Sequence, residues 1–191
     1  MSKLRVGVIG CGDHDKDRGP DGFAMAWCHG EGYEKLTDQV EIVACADIVD
    51  KNARAFADRF GATDVYEDYN TMLSDADLDM VSVCTWMHLH AEMVISAAEA
   101  DLKAIHCEKP MAATWGDAKR MAAVCEEYGV QLTFNHQRRF GAPVVIAKQL
   151  LEKGEIGELQ MLQYSGGNMY DTGTHFIDML SFLTAKCLQS G

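Results

Sequence analysis

Four consecutive residues, Cys107-Glu108-Lys109-Pro110, put a carboxylate and an amine where a strand should end. The run before them, Lys103-Ala104-Ile105-His106-Cys107, is largely apolar, and a polar, helix-starting stretch follows. Charge at the end of a buried strand costs free energy unless it is partnered. In an open α/β sheet, however, the carboxyl ends of the strands are where ligands bind. A lysine delivered there and followed by proline can act as a chemical group. The same four residues also read as a solvated turn holding a salt bridge. Further along, Asp171 and His175 are four residues apart and share one face of a helix if that segment is helical. Asp171 also reads as a helix N-cap, and His175 as a core histidine with its hydrogen bonds satisfied.

The amino-terminal residues carry a second kind of chemistry. Leu4 to Ile9 is a short β-branched run followed by Gly10-Cys11-Gly12, the opening of a dinucleotide-binding fingerprint of strand, tight turn and helix. The first glycine makes the turn, and the second lets the backbone approach a pyrophosphate. The position of the third small residue holds Asp15. A polar stretch from Asp13 to Met25 intervenes, and a helical pattern resumes at Ala26, which we assign to the third small position after an insertion. The four aspartates of that stretch should not face a pyrophosphate, and it reads as a solvated surface loop. Val40 to Asp47 is a second strand ending in an acid. Asp47 lies 21 residues after Ala26, close to the roughly 20 expected for the carboxylate that binds the adenosine ribose hydroxyls. An aspartate there repels a 2′-phosphate, so NAD is favoured over NADP, although Lys51 and Arg54 are near.

These groups need a scaffold, and the remaining pattern supplies one. Asp50 to Phe60 is helical by period, with Gly61 as its stop. Val65-Tyr66 is a short strand and Tyr69 to Leu73 a helical turn. Asp79 to Thr85 reads as a buried parallel strand, and Trp86 to His90 leads into a helix from Ala91 to Ala100. Lys103 to Cys107 is the next strand, Thr114 caps a helix from Trp115 to Tyr128 before Gly129, and Val130 to Phe134 is another strand. Strands alternating with helices through short links define an α/β fold, a Rossmann-type doubly wound parallel sheet over residues 1–134. After Asn135 the character changes. Asn135 to Phe140 is polar and basic, Pro143 to Glu152 is a helix, Leu159 to Tyr164 reads as a strand, and a further helix opens at Asp171. Residues 135–191 thus read as a second region that opens an α+β unit.

Composition limits the partners. The net charge of −12 argues against nucleic-acid backbones and anionic membranes, and no apolar run approaches the ~18 residues of a membrane span. With no signal peptide and seven scattered cysteines lacking any Cys-x-x-Cys pair, the expectation is a cytoplasmic protein with reduced cysteines, of which Cys45, Cys84, Cys107 and Cys125 lie in apolar segments. A metal site built from His88, His90, His106 and Cys107 is not expected, because residues two apart rarely converge without a further acidic partner.

Taken in order, Gly10 and Gly12, Asp47, Thr85 to His90, Glu108-Lys109-Pro110, Arg138-Arg139-Phe140 and Asp171…His175 make the chain resemble the glucose–fructose oxidoreductase/inositol dehydrogenase (Gfo/Idh/MocA) family. The resemblance implies a hydride transfer between a sugar or polyol carbinol and nicotinamide. It implies Lys109, Asp171 and His175 as the catalytic group: His175 as general acid or base, for which an imidazole is suited near neutrality, Asp171 as orienting group, and Lys109 on the reacting oxygen. Gly10, Gly12, Ala26, Asp47, Thr85, His90, Glu108, Asn135 and Arg138 would bind the cofactor, NAD ahead of NADP, or line the substrate side. A redox-neutral NAD-dependent glycoside-cleaving enzyme of the same lineage, or a non-catalytic NAD-binding remnant, are the alternatives. Two features depart from the family pattern: Trp86 stands where proline is usual, and the glycine turn is interrupted. Family members also carry a broad sheet that covers the substrate face and through which they usually pair as homo-oligomers. The chain reads as truncated before that sheet, and its final residues, 186–191, no longer match.

Overall fold

The computed structural model describes residues 2–14 and 24–184. The insertion assigned to 13–25 falls largely outside them, as does the 186–191 tail. The chain divides into two compact units, Met1–Phe134 and Asn135–Gly191.

The first unit is a six-stranded sheet in the order β3-β2-β1-β4-β5-β6, with all neighbours parallel. The strands are β1 (Leu4–Ile9), β2 (Val40–Ala46), β3 (Asp64–Tyr66), β4 (Met80–Val83), β5 (Ala104–Cys107) and β6 (Gln131–Phe134). Between them run α1 (Met25–Tyr33), α2 (Asp50–Phe60), α3 (Tyr69–Asp75), α4 (Met87–Glu99) and α5 (Trp115–Tyr128). This is the Rossmann-type α/β architecture. The helix ends follow local chemistry. Thr114 Oγ1 accepts the Asp117 N–H at 3.1 Å at the start of α5, and Gly61 and Gly129 close α2 and α5 in the left-handed conformation that glycine adopts without steric cost.

Strand periodicity sorts side chains into two cores. Val81, Val83, Ile105 and Cys107 pack with Ala91, Val94, Ala97 and Met121 of α4 and α5. Val6, Val8 and Cys45 pack with Ala26, Ala53 and Phe56 of α1 and α2. The helix α4 begins at Met87, four residues before the expected Ala91, so His88 and His90 are helical. Trp86, in extended conformation, is the residue that precedes its first turn.

The second unit contains a 3-10 turn (Gln137–Phe140), α6 (Ala142–Glu152) and α7 (Thr172–Thr184). Arg139 grips Asp178 with two donors, Nε at 2.8 Å and Nη2 on the other oxygen, tying the 3-10 turn to α7. The expected strand over Leu159–Tyr164 does not form. A strand exists only where its N–H and C=O groups have a lateral partner, and among the described residues no segment pairs with it. Met161 and Tyr164 are accordingly exposed. Among the described residues no helix is long and apolar enough to cross a membrane.

Replacing Thr114 with alanine removes the α5 cap and is expected to lower stability by about 1 kcal/mol. Urea unfolding should show a lower midpoint at unchanged slope; an unchanged midpoint would count against the cap.

Candidate active site

The strand order reverses between β1 and β4, and the crevice outside the carboxyl ends of strands at such a switch point is where an α/β sheet binds ligands. At the β1 end, Gly10 (φ +85°) has no room for a side chain: a Cβ there would meet Thr85 Cγ2 at 2.6 Å and the Cys84 carbonyl oxygen at 3.1 Å. Gly12 (φ +64°) donates its N–H to Asp47 Oδ2 at 2.9 Å. The other oxygen of Asp47, Oδ1, accepts the Val49 N–H at 2.8 Å. The acid at the end of β2 therefore holds the glycine turn and its own loop. Each carboxylate oxygen keeps a further lone pair for a ribose hydroxyl.

The helix that follows starts after Ala24, which has no side-chain acceptor, and no acid lies in its first turn. Its leading N–H groups are thus suited to an anion. Ala26 is fully buried against Val6, Val8 and Cys11, which lets α1 sit close to the sheet. These features fit a dinucleotide. Gly10, Gly12 and the start of α1 would hold its pyrophosphate and Asp47 its ribose.

The β4 and β5 ends are braced together. His90, fully buried, has Nδ1 2.9 Å from the Pro110 carbonyl oxygen and Nε2 3.0 Å from the Thr85 carbonyl oxygen. A neutral ring donates to one of these and a protonated ring to both. Thr85 turns its hydroxyl to Met93 Sδ at 3.2 Å. The Glu108 N–H donates to the Val83 carbonyl at 2.9 Å, extending the β4–β5 ladder by one bond beyond the strand. Glu108 is 4% exposed. Its Oε1 lies 2.9 Å from Nε2 of His29 on α1, and its Oε2 accepts the Lys109 N–H at 3.2 Å. Lys109 is half-buried, and the Lys109–Pro110 peptide is cis.

Sequence reasoning missed His29, Ser82, Tyr33 and His106 as members of one polar region. The signal was present: β4 and β5 each carry one polar residue between apolar ones, and Ser82 is in register with His106, which is in register with Thr133. His106 Nδ1 is 2.8 Å from Thr133 Oγ1. Burial, aided by the neighbouring His29, pulls the His106 imidazole down from 6.5 to about 4.

In the second unit, Asp171 immediately precedes α7. Its N–H is bound by Asn168 Oδ1 at 2.7 Å, and its carbonyl accepts the Thr174 hydroxyl at 2.9 Å. His175 lies in the opening turns of α7, 3% exposed, with the His136 ring edge-on at 5.7 Å. The Arg138 guanidinium lies 5.7 Å from the Phe176 ring. Asp171, His175 and Arg138 belong to this unit, and Gly10, Gly12, Ala26, Asp47, Thr85, His90, Glu108 and Lys109 to the first. Asn135 is the first residue of the second unit. Among the described residues no group of three His, Cys, Asp or Glu side chains converges as a metal site.

A glycine turn after β1, an acid at the end of β2 and a crevice at the sheet's switch point are the features of a dinucleotide-binding Rossmann fold. The family described as "Oxidoreductase family, NAD-binding Rossmann fold" (Gfo/Idh/MocA) matches residues 4–136, and the chain belongs to it. It is 27% identical to myo-inositol 2-dehydrogenase of Thermotoga maritima over 96% of this chain and 55% of that protein. It is 32% identical to D-apiose dehydrogenase of Paraburkholderia graminis over 82% of this chain and 38% of that protein. The WlbA dehydrogenase of Bordetella pertussis, solved with NADH and UDP-GlcNAcA, superposes with a TM-score of 0.79 at 25% identity, covering 95% of this chain and 58% of that one. The chain spans about half the length of the relatives it matches.

Two outcomes follow from this geometry. NADH is expected to bind several-fold more tightly than NADPH, because a 2′-phosphate faces Asp47; the gap should narrow in Asp47→Asn, and equal affinities of the wild type in fluorescence titrations would overturn the assignment. The lowered His106 pKa means the unfolded chain takes up a proton that the folded one refuses. Its stabilising contribution is complete above pH 6.5 and is lost as pH falls towards about 4. Urea midpoints of wild type and His106→Gln should therefore converge over that interval; parallel profiles would contradict it.

Proposed function

We propose that the protein is an NAD-dependent dehydrogenase that moves a hydride between a CH–OH carbon of a sugar or polyol and nicotinamide. One observation carries the reading: the Glu108-Lys109-Pro110 turn sits at the carboxyl end of β5, braced by His90 to the β4 end that borders the switch-point crevice, in a chain of this family. Relatives named for inositol and apiose support the substrate class.

In this reading residues 1–134 bind the dinucleotide and 135–191 begin the substrate domain. Gly10, Gly12, Ala26 and Asp47 hold the pyrophosphate and ribose end. Thr85, His90, Glu108, Asn135 and Arg138 shape the nicotinamide and substrate side. Bound NAD supplies the hydride acceptor. The chain supplies the proton chemistry and the orientation. His175 takes the proton of the substrate hydroxyl as the carbon gives up its hydride, and Asp171 orients the substrate or the imidazole. Lys109 donates a hydrogen bond to the same oxygen, favouring the charge that develops there. Cys45, Cys84, Cys107 and Cys125 carry free thiols, which accords with a reducing, cytoplasmic setting.

The test is purified protein with NAD and either myo-inositol or D-apiose, followed at the NADH absorbance. Turnover is expected to fall at least ~100-fold in Lys109→Met and in His175→Ala. No NADH with any polyol, or undiminished rates in both variants, would overturn the reading.

A further inference from the structure

A chain of polar side chains runs from the Glu-Lys-Pro turn into the sheet face beneath α1. Glu108 Oε1 is 2.9 Å from His29 Nε2, His29 Nδ1 is 3.1 Å from Ser82 Oγ, and Ser82 Oγ is 2.7 Å from the Tyr33 hydroxyl. Glu108, His29 and Ser82 are 4%, 8% and 0% exposed. Tyr33, at the last turn of α1, borders a groove of about 310 Å³ that His106 and Thr133 also line. Burial pushes the Tyr33 phenol up, which keeps its hydrogen available for donation.

With His29 neutral and Glu108 ionised, one proton arrangement satisfies every link. Tyr33 O–H donates to Ser82 Oγ, Ser82 O–H donates to His29 Nδ1, and His29 Nε2–H donates to Glu108. The hydroxyls thereby select the ring tautomer that presents a donor to the carboxylate. Glu108 uses its other oxygen to hold the Lys109 main-chain N–H. The imidazole thus joins α1 to the residue before Lys109.

We infer that His29 is a positioning residue for the reaction: its Nε2–H fixes the Glu108 carboxylate and, through it, the backbone from which Lys109 extends. The inference rests on the dehydrogenase reading for Lys109. A buried pair that serves stability alone would make different variants equivalent, whereas positioning requires a donor at one atom. Glutamine places an amide N–H where Nε2 stands. Asparagine reaches only the Nδ1 position, and leucine offers neither.

The experiment compares wild type with His29→Gln, His29→Asn and His29→Leu in the whole protein, each checked for folding by circular dichroism. It measures kcat, KM for NAD, and hydrogen exchange of the Lys109 amide. Asn and Leu are expected to lose kcat by on the order of ten-fold or more, with KM for NAD within about two-fold, since misplacement of a reacting group is felt mainly in the chemical step. Their Lys109 amide should exchange at least about ten-fold faster, while Gln stays near wild type in both readouts. The inference is overturned if a folded Gln variant loses as much as Leu. It is also overturned if folded Asn or Leu variants keep wild-type kcat or wild-type exchange at Lys109. A wild type without turnover would defeat the dehydrogenase reading instead, and the exchange rates would still decide whether His29 holds the turn.

Discussion

A carboxylate removed from water must find hydrogen-bond donors, and much of the geometry around the fifth strand follows from how Glu108 finds its own. Taking a charged group out of water costs several kcal/mol unless its oxygens are satisfied. Glu108 meets an imidazole on one oxygen and the next residue's amide on the other. The imidazole comes from α1, so the first helix has to lie over β4 with one turn facing β5. Small residues allow this. Ala26 is fully buried, and a Cβ on Gly30 would come within 2.6 Å of the Phe60 ring. The buried alanine of α1 and the charge at the end of β5 are two parts of a single packing solution, while Gly30 makes room for the Phe60 ring of α2.

The same sheet has two unlike faces. Towards α4 and α5 it is aliphatic, with Val81, Val83, Ile105 and Cys107 sealed in one core. Towards α1 it is apolar over β1 and β2 but polar across β4, β5 and β6, where Ser82, His106 and Thr133 stand in register. Burial of thiols occurs on both faces, Cys107 on the first and Cys11 and Cys45 on the second. It drives the Cys107 thiol well above its ordinary range, helped by the charge of Glu108, so this cysteine is a packing residue and not a nucleophile.

Much of this order could be read from the residues alone, for reasons that are local. The cap at Thr114 and the stops at Gly61 and Gly129 each act within a few residues of themselves, the acid at position 47 shows itself by its spacing from the glycine turn it bonds, and the strands announce themselves by β-branched runs. What escaped is non-local. His29 lies 79 positions from its carboxylate partner, and nothing in the α1 sequence names that partner. The early start of α4 was hidden because Trp86 to His90 carries no cap residue, while tertiary bonds from His90 hold that turn in place. The strand expected at Leu159–Tyr164 had the right composition, but composition cannot supply a neighbour to bond with. For the site, the turn chemistry was legible residue by residue, whereas the inward aim of Glu108 was not.

The contact of Gly10 with Thr85 and the Cys84 carbonyl bears on how such a protein can change over time. One wall of the crevice is bare backbone pressed against backbone and a methyl group, so it offers no side chain that substitution could enlarge, shrink or recharge. The opposite wall behaves otherwise. Trp86 and Met87 are exposed at the start of α4, so exchanges there meet less packing resistance than in the core. Room to alter what the crevice accepts therefore lies at the fourth strand's end, while the first strand's turn admits no side chain at Gly10.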